Sequence, residues 1–191
     1  MIYTICKTLV HVINVLWFNF TITGKENIPE EGNYIICPNH VSIYDPVVIA
    51  SQIKRQVHFM AKAELYENPF LKWLMLAVGT IPVDRHHVSM DTLRESLKVL
   101  KDGGILGIFP EGTRAKDGER LKPMDGFVVF ALKTKSPIIP VHITGEYKFR
   151  GKINIKFGKS IELNECYGKK IKAEEISKIS QKIMDNVYDI Q

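Results

Sequence analysis

His40 and Asp45 are the residues best suited to chemistry, and they follow the apolar run 34–37 after a gap of two residues. A neutral imidazole accepts a proton near neutral pH, and a carboxylate on its other ring nitrogen fixes the tautomer and stabilises the imidazolium. The pair therefore suits acyl transfer to an alcohol, in which the attacking hydroxyl loses its proton. Alone this spacing is a weak signal, because a loop histidine beside an Asp-Pro helix start would look the same.

A second stretch, Phe-Pro-Glu-Gly-Thr-Arg at 109–114, also follows an apolar run. Gly112 lets the backbone approach a ligand closely, and the amides that follow can bind an anion. Arg114 carries a planar guanidinium that matches a phosphate. The alternative is an ordinary turn in which Arg114 pairs with an acid.

Two more cations follow predicted strands, Lys62 after 57–60 and Arg85 at the end of 79–85. Each alone is most often a solvated surface charge, but with Arg114 they make three cations at successive strand ends. This arrangement favours a phosphate-binding site. We expect no metal and no cofactor, because the adjacent His86 and His87 have poor geometry for one ion and no nucleotide-binding glycine loop is present.

The chain has 191 residues, 45% hydrophobic and 25% charged, with a formal net charge of +5. These values predict one folded domain and favour anionic partners. Nucleic acid is a poor candidate, because the charge is mild and no basic stripe is interleaved with aromatic residues. Three well-separated cysteines fit a reducing compartment, and we interpret Cys37 as a small buried strand residue rather than a nucleophile.

Residues 1–18 are rich in apolar side chains but have neither the pattern of a cleavable signal nor that of a spanning helix. The polar residues recur at helical spacing and share one stripe, opposite Ile2, Leu9 and Ile13. This pattern predicts an amphipathic helix. It either lies in a membrane interface, with Trp17 and Phe18 at headgroup level, or packs on its own domain.

Residues 19–191 alternate strand and helix signals and show no linker. This alternation predicts a single α/β domain with a largely parallel sheet flanked by helices, and a ligand site at the carboxyl ends of the strands. We predict strands at 19–23, 34–37, 57–60, 80–83, 105–109, 138–143, 153–157 and near 161, and helices at 46–53, 69–78, 90–100 (with Ser89 as N-cap), 127–133 and 173–187.

Four blocks in this order resemble the glycerolipid acyltransferases typified by 1-acyl-sn-glycerol-3-phosphate (lysophosphatidic acid) acyltransferases. They are Asn-His-x4-Asp at 39–45, a glycine-led strand ending in arginine at 79–85, Phe-Pro-Glu-Gly-Thr-Arg at 109–114, and Pro-Ile-Ile-Pro-Val at 137–141. The Ala-Lys-x-Glu-Leu segment of many members is matched at 61–65. One departure is Pro-Met-Asp-Gly at 123–126, where members often carry Lys-x-Gly.

The resemblance implies transfer of a fatty acyl group from acyl-CoA or acyl carrier protein to the sn-2 hydroxyl of lysophosphatidic acid, giving phosphatidic acid in phospholipid biosynthesis. His40 would be the base and Asp45 its partner. The remaining residues would bind substrate: Lys62, Arg85 and Arg114 the phosphate, and Glu111, Gly112 and Thr113 the glycerol backbone and reacting carbonyl.

With residues 1–18 in a membrane interface, we expect the protein to be peripheral or monotopic on the cytoplasmic face of the cell membrane. Two alternatives stay open at this point. The acceptor could be glycerol 3-phosphate or a lysophospholipid, or the chain could be a non-catalytic lipid-binding protein of the same fold.

Overall fold

Seven strands form one sheet within residues 2–84, 89–115 and 119–190, the part of the chain that the computed structural model describes. The sheet order is β1-β7-β6-β2-β5-β3-β4. The strands are β1 Asn19–Thr23, β2 Tyr34–Pro38, β3 Val57–Lys62, β4 Ile81–Val83, β5 Ile105–Gly107, β6 Ile138–Gly145 and β7 Lys152–Phe157.

Most neighbouring strands in this sheet are parallel, which confirms the predicted α/β class. The neighbours from β6 through β2, β5 and β3 to β4 all pair in parallel. The exception is β7, which pairs antiparallel with β6 and parallel with β1. The chain therefore adds two reversed strands at one side of a parallel sheet.

In the described ranges, six α-helices cover the two faces of the sheet: α1 Ile2–Trp17, α2 Asp45–Gln52, α3 Pro69–Ala77, α4 Met90–Lys101, α5 Gly126–Thr134 and α6 Ala173–Tyr188. Alternate residues of β2 point to opposite faces, so Tyr34 packs in the same cluster as Val48 of α2, and Ile35 in the cluster of α5 and α6. A strand buried on both faces has no polar alternation, which explains the continuous apolar run in the sequence.

Two local predictions had different outcomes. Ser89 caps α4 as predicted, because its side chain accepts a hydrogen bond from the Thr92 amide. The predicted strand near Ile161 was wrong, since only an isolated bridge to Ile138 forms there.

The carboxyl ends of the parallel strands meet at one edge of the sheet. Register pairs Ile36 of β2 with Gly107 of β5, and Lys62 of β3 with Val83 of β4. The segments that begin after these residues, including the stretch at 109–114, therefore leave from the same edge. This edge is where the sequence predicted the ligand site.

Helix α1 turns Lys7 and Asn14 towards the domain and leaves Val12 and Leu16 outside. The Lys7 ammonium donates to the carbonyl oxygens of Ile53 and Lys54, and Asn14 is buried. In contrast, Val12 is 50% and Leu16 74% exposed. Among the described residues, no helix combines the length and apolar character needed to cross a bilayer.

Candidate active site

The His40 ring contacts a buried carboxylate. Its Nδ1 lies 2.8 Å from Oδ2 of Asp45, whose side chain is 0% exposed. The same oxygen accepts hydrogen bonds from the amides of Val41 and Ser42, both at 2.7 Å. Asp45 is also the first residue of α2, where the helix dipole favours a negative charge. The loop between β2 and α2 is thus folded around this carboxylate.

The second oxygen of Asp45 has a partner from a distant part of the chain. The hydroxyl of Tyr147, in the loop between β6 and β7, donates to Oδ1 at 2.7 Å. Burial, and then the Asp45 carboxylate, raises the pKa of Tyr147 above its ordinary value, so the phenol remains a donor. With three donors on Oδ2 and one on Oδ1, the hydrogen bonds offset the cost of burying the charge.

The plane of the His40 ring is set by aromatic packing. Its centroid lies 4.1 Å from that of Phe109, and Phe109 in turn stacks on Phe59 at 5.6 Å. The His40 side chain is 12% exposed. Because Asp45 holds Nδ1, Nε2 is the ring nitrogen left to face a substrate.

Backbone hydrogen bonds join the His40 segment to the stretch at 109–114. The His40 amide donates to Oε2 of Glu111 at 2.9 Å, and the Ala115 amide donates to the His40 carbonyl at 2.9 Å. The other oxygen of Glu111 accepts from the hydroxyl of Tyr188, at the end of α6. Burial raises the pKa of Glu111, although both hydrogen bonds oppose the rise. The two stretches that the sequence singled out therefore form one site.

Asn39 holds the start of the loop against β6. Its Nδ2 donates to the Ile143 carbonyl at 2.9 Å, and its Oδ1 accepts from the Ile143 amide at 2.7 Å. A side-chain amide thus continues the β2–β6 ladder where β2 ends. The position of His40 beyond the sheet edge follows from this pairing.

The other residues of the second stretch are more open. Gly112 has φ +66°, and its amide donates to the Phe109 carbonyl at 3.1 Å, so this amide is engaged within the turn. Thr113 and Arg114 are exposed. Arg114 makes no ion pair with any other residue in the described ranges, which leaves its guanidinium accessible to an anion.

Of the two remaining predicted cations, only Lys62 lies within the described residues, and it has an acidic partner. The Lys62 ammonium lies 2.7 Å from a carboxylate oxygen of Glu64, and both side chains are about half exposed, at 50% and 54%. Arg85 lies outside the described residues. The phosphate-binding roles of Lys62, Arg85 and Arg114 stay predictions, as do the substrate-binding roles of Glu111, Gly112 and Thr113.

Cys37 is not arranged as a nucleophile. The thiol is fully buried in the core under α5 and α6. Burial, and then the nearby Glu111, raises its pKa well above the ordinary value, which disfavours the reactive thiolate. The interpretation of Cys37 as a buried strand residue is consistent with this position.

Two surface clefts lie elsewhere on the protein. Their volumes are about 530 and 370 Å³, and their linings include Lys156 and Arg55 respectively. Neither cleft includes His40 or Asp45. The site is defined by its hydrogen bonds and its place at the sheet edge. Within the described ranges, no cluster of three or more His, Cys, Asp or Glu residues has metal-binding geometry.

Sequence reasoning missed Tyr147 and Tyr188, the two phenols that contact the carboxylates of the site. Tyr147 follows the end of β6 by two residues, and this position at a strand's carboxyl end was an available signal. Tyr188 is the last residue of a helix far along the chain, and no local pattern relates it to Glu111.

Known proteins are similar to this chain in sequence and in fold. A 1-acyl-sn-glycerol-3-phosphate acyltransferase of Bacillus subtilis is 30% identical over 83% of this chain and 82% of its own length. That of Streptococcus pneumoniae is 30% identical over 96% of this chain and 70% of its own length. That of Borreliella burgdorferi is 34% identical over 67% of this chain and 52% of its own length.

The crystal structure of the 1-acyl-sn-glycerophosphate (LPA) acyltransferase PlsC from Thermotoga maritima superposes with a TM-score of 0.74 at 25% identity. It covers 99% of this chain and 80% of that one. The acyltransferase family profile matches residues 19–144, which include His40, Asp45 and the stretch at 109–114. The chain belongs to the acyltransferase family.

Proposed function

We propose that this protein transfers a fatty acyl group from a thioester to the sn-2 hydroxyl of 1-acyl-sn-glycerol 3-phosphate, giving phosphatidic acid. The observation that carries the proposal is the contact between His40 and the buried Asp45, which leaves Nε2 of the imidazole as the proton acceptor. The names of the relatives from three bacteria support this choice of acceptor.

The reaction needs no residue of the protein as a nucleophile. Nε2 of His40 takes the proton of the sn-2 hydroxyl as the oxygen attacks the thioester carbonyl, and a tetrahedral intermediate forms. Collapse of this intermediate breaks the carbon–sulfur bond, and the departing thiolate receives the proton from the imidazolium. Asp45 stabilises the imidazolium between these two steps.

The acceptor's phosphate is assigned to the three cations that the sequence singled out. Arg114 supports the assignment best, because its guanidinium is exposed and the next residue, Ala115, donates a backbone hydrogen bond to the His40 carbonyl. Lys62 and Arg85 complete the proposed phosphate site, and Glu111, Gly112 and Thr113 align the glycerol backbone and the carbonyl. The acyl donor is acyl-CoA or acyl carrier protein.

The protein acts at a membrane surface, on the cytoplasmic face of the cell membrane, with residues 1–18 lying in the interface. The orientation of α1 supports this placement, because Val12 and Leu16 are exposed while Lys7 and Asn14 face the domain. A helix that only packed on its own domain would bury its apolar side.

The test is acyl transfer by purified protein supplied with acyl-CoA or acyl carrier protein thioester. Lysophosphatidic acid, glycerol 3-phosphate and a lysophospholipid without a free phosphate are offered separately, and products are identified by mass spectrometry. Transfer only to the last acceptor would contradict the assigned phosphate site, and transfer only to glycerol 3-phosphate would favour that alternative.

The role of His40 is tested with His40→Ala, which should lower turnover at least about a hundredfold, since positioned acid–base catalysis supplies roughly 10²–10⁴. His58→Gln is the matched control, because His58 bonds to the Gly79 carbonyl rather than to Asp45. Unchanged turnover in His40→Ala would reject the mechanism. Lipid binding without any turnover in the unaltered protein would favour the non-catalytic alternative.

A further inference from the structure

Exposed apolar residues gather beside the His40–Asp45 pair. We call five of them the apolar rim, and each is between 52% and 74% exposed. They come from the end of α1, the loop that opens α2, and the β6–β7 loop: Leu16, Trp17, Ile43, Tyr44 and Phe149. Large apolar side chains grouped on a surface commonly mark an interaction site.

Direct contacts connect these three segments. The rings of Trp17 and Phe149 meet edge to face at 5.2 Å, and the Arg150 amide donates to the Trp17 carbonyl at 2.7 Å. The ring of Tyr44 stacks on that of Tyr147 at 6.0 Å. Because Tyr147 also donates to Asp45, the rim is continuous with the catalytic pair.

The β6–β7 loop presents Phe149 at a tight turn. The Gly151 amide donates to the Lys148 carbonyl at 2.7 Å. A Cβ at Gly151 would lie 2.2 Å from the Glu146 carbonyl oxygen, so only glycine fits. The backbone at this turn is therefore well determined, and it directs Phe149 outwards instead of into the core.

Cations border the same loop. Lys148, Arg150 and Lys152 are all exposed, and the Arg150 guanidinium lies 5.8 Å from the centroid of the Phe149 ring. Lys148 pairs with Glu146 at the surface. Aromatic rings next to basic side chains suit the boundary of an anionic bilayer, where rings enter the headgroup region and cations meet lipid phosphates.

We propose that the apolar rim docks on an anionic lipid bilayer, so that the β6–β7 loop adds a membrane contact to that of residues 1–18. The inference rests on the proposed function, because an acceptor with a long acyl chain resides in a bilayer and must reach His40 from there. Leu16 and Trp17 of the rim belong to α1, where Val12 is also exposed, so the rim extends along the end of that helix. A protein partner at this place would block the route of a lipid acceptor to the catalytic pair. A bilayer at the same place would supply that acceptor.

Binding to vesicles is measured without substrate or donor, so its outcome is independent of acyl transfer. Phe149→Glu should weaken partitioning onto phosphatidylglycerol vesicles about tenfold or more, because a phenyl ring leaves the interface and a carboxylate enters it. Phosphatidylcholine vesicles should bind the unaltered protein less well. Thermal unfolding verifies that the variant is folded, and Phe149→Ser replaces it if it is not.

Met90→Glu is the matched control. Met90 is as exposed as Phe149, at 61% against 62%, but begins α4 in the helix layer on the opposite face of the sheet. The proposal expects this variant to bind vesicles like the unaltered protein. Unchanged binding by Phe149→Glu overturns the proposal, and so does an equal loss in both variants.

The two tryptophans, Trp17 and Trp73, add a second measurement. In a Trp73→Phe protein the remaining indole belongs to the rim, and brominated phospholipids should quench its fluorescence. In Trp17→Phe the indole reports on α3, where Trp73 is also exposed. Quenching of both indoles extends the contact to α3 and keeps the rim, whereas quenching of Trp73 alone overturns the proposal.

Discussion

Replacing Tyr147 by phenylalanine tests how the buried carboxylate of Asp45 is held. The variant keeps the ring that packs on Phe18 and Tyr44 but removes the donor to Oδ1. Asp45 has no solvent access, so water cannot easily replace the lost donor. A hydrogen bond to a charged group contributes about 1.5–3 kcal/mol, and the free energy of unfolding should fall by this amount.

The same change should lower the rate of acyl transfer. With one donor fewer, the Asp45 carboxylate is held less firmly against Nδ1 of His40, so the imidazole loses part of its orientation. We expect the turnover of lysophosphatidic acid to fall about three- to tenfold, equivalent to roughly 0.7–1.4 kcal/mol.

The assays are urea unfolding and the turnover of lysophosphatidic acid at saturating substrate. Tyr167→Phe is the control, because the Tyr167 hydroxyl also makes a hydrogen bond, from the Leu163 amide, but lies away from Asp45. Lower stability with unchanged turnover would show that Tyr147 supports only the fold. Unchanged turnover with unchanged stability would refute the reasoning altogether.

Two more predictions concern charged residues of the site. Lys62→Ala should change the free energy of unfolding by less than about 1 kcal/mol, because its pair with Glu64 is half exposed, yet raise the KM for lysophosphatidic acid. Glu64→Gln should lower that KM by freeing Lys62, and equal KM values in all three proteins would contradict the phosphate role. Burial raises the pKa of Glu111, so ionisation costs stability as the pH rises through that pKa. The stability of Glu111→Gln against thermal unfolding should therefore improve relative to that of the unaltered protein as the pH rises from about 4 to about 8, and the opposite trend would count against the burial argument.

The sheet and the edge that carries the site were predictable because their signals are local. Short apolar runs without polar alternation indicated buried parallel strands, and the segments after them had to share an edge. The reversed strand β7 was predictable as well. Only six residues separate it from β6, too few for a parallel crossover, which needs a dozen or more.

The contacts of the two phenols were not predictable in this way. Tyr147 and Asp45 are 102 positions apart, and Tyr188 and Glu111 are 77 apart. A tyrosine near a strand or helix end is ordinary, and only the packing of the whole chain decides which carboxylate it meets. The pairing of Lys62 with Glu64 was missed for a different reason. Two charged residues two positions apart can form an ion pair or point in different directions, depending on the backbone between them.

The geometry explains why the two sequence stretches work as a unit rather than as separate motifs. Asp45 fixes which nitrogen of the His40 ring is free, Phe109 fixes the plane of that ring, and Glu111 fixes the backbone from which it extends. Two of these three constraints come from the stretch at 109–114. A His-x4-Asp segment alone would hold Nδ1 but leave the plane of the ring unrestricted. A proton acceptor whose orientation varies loses much of the rate that fixed orientation provides. The spacing between two residues is therefore weak support for a catalytic site, whereas two stretches at one sheet edge that restrict the same ring are strong support.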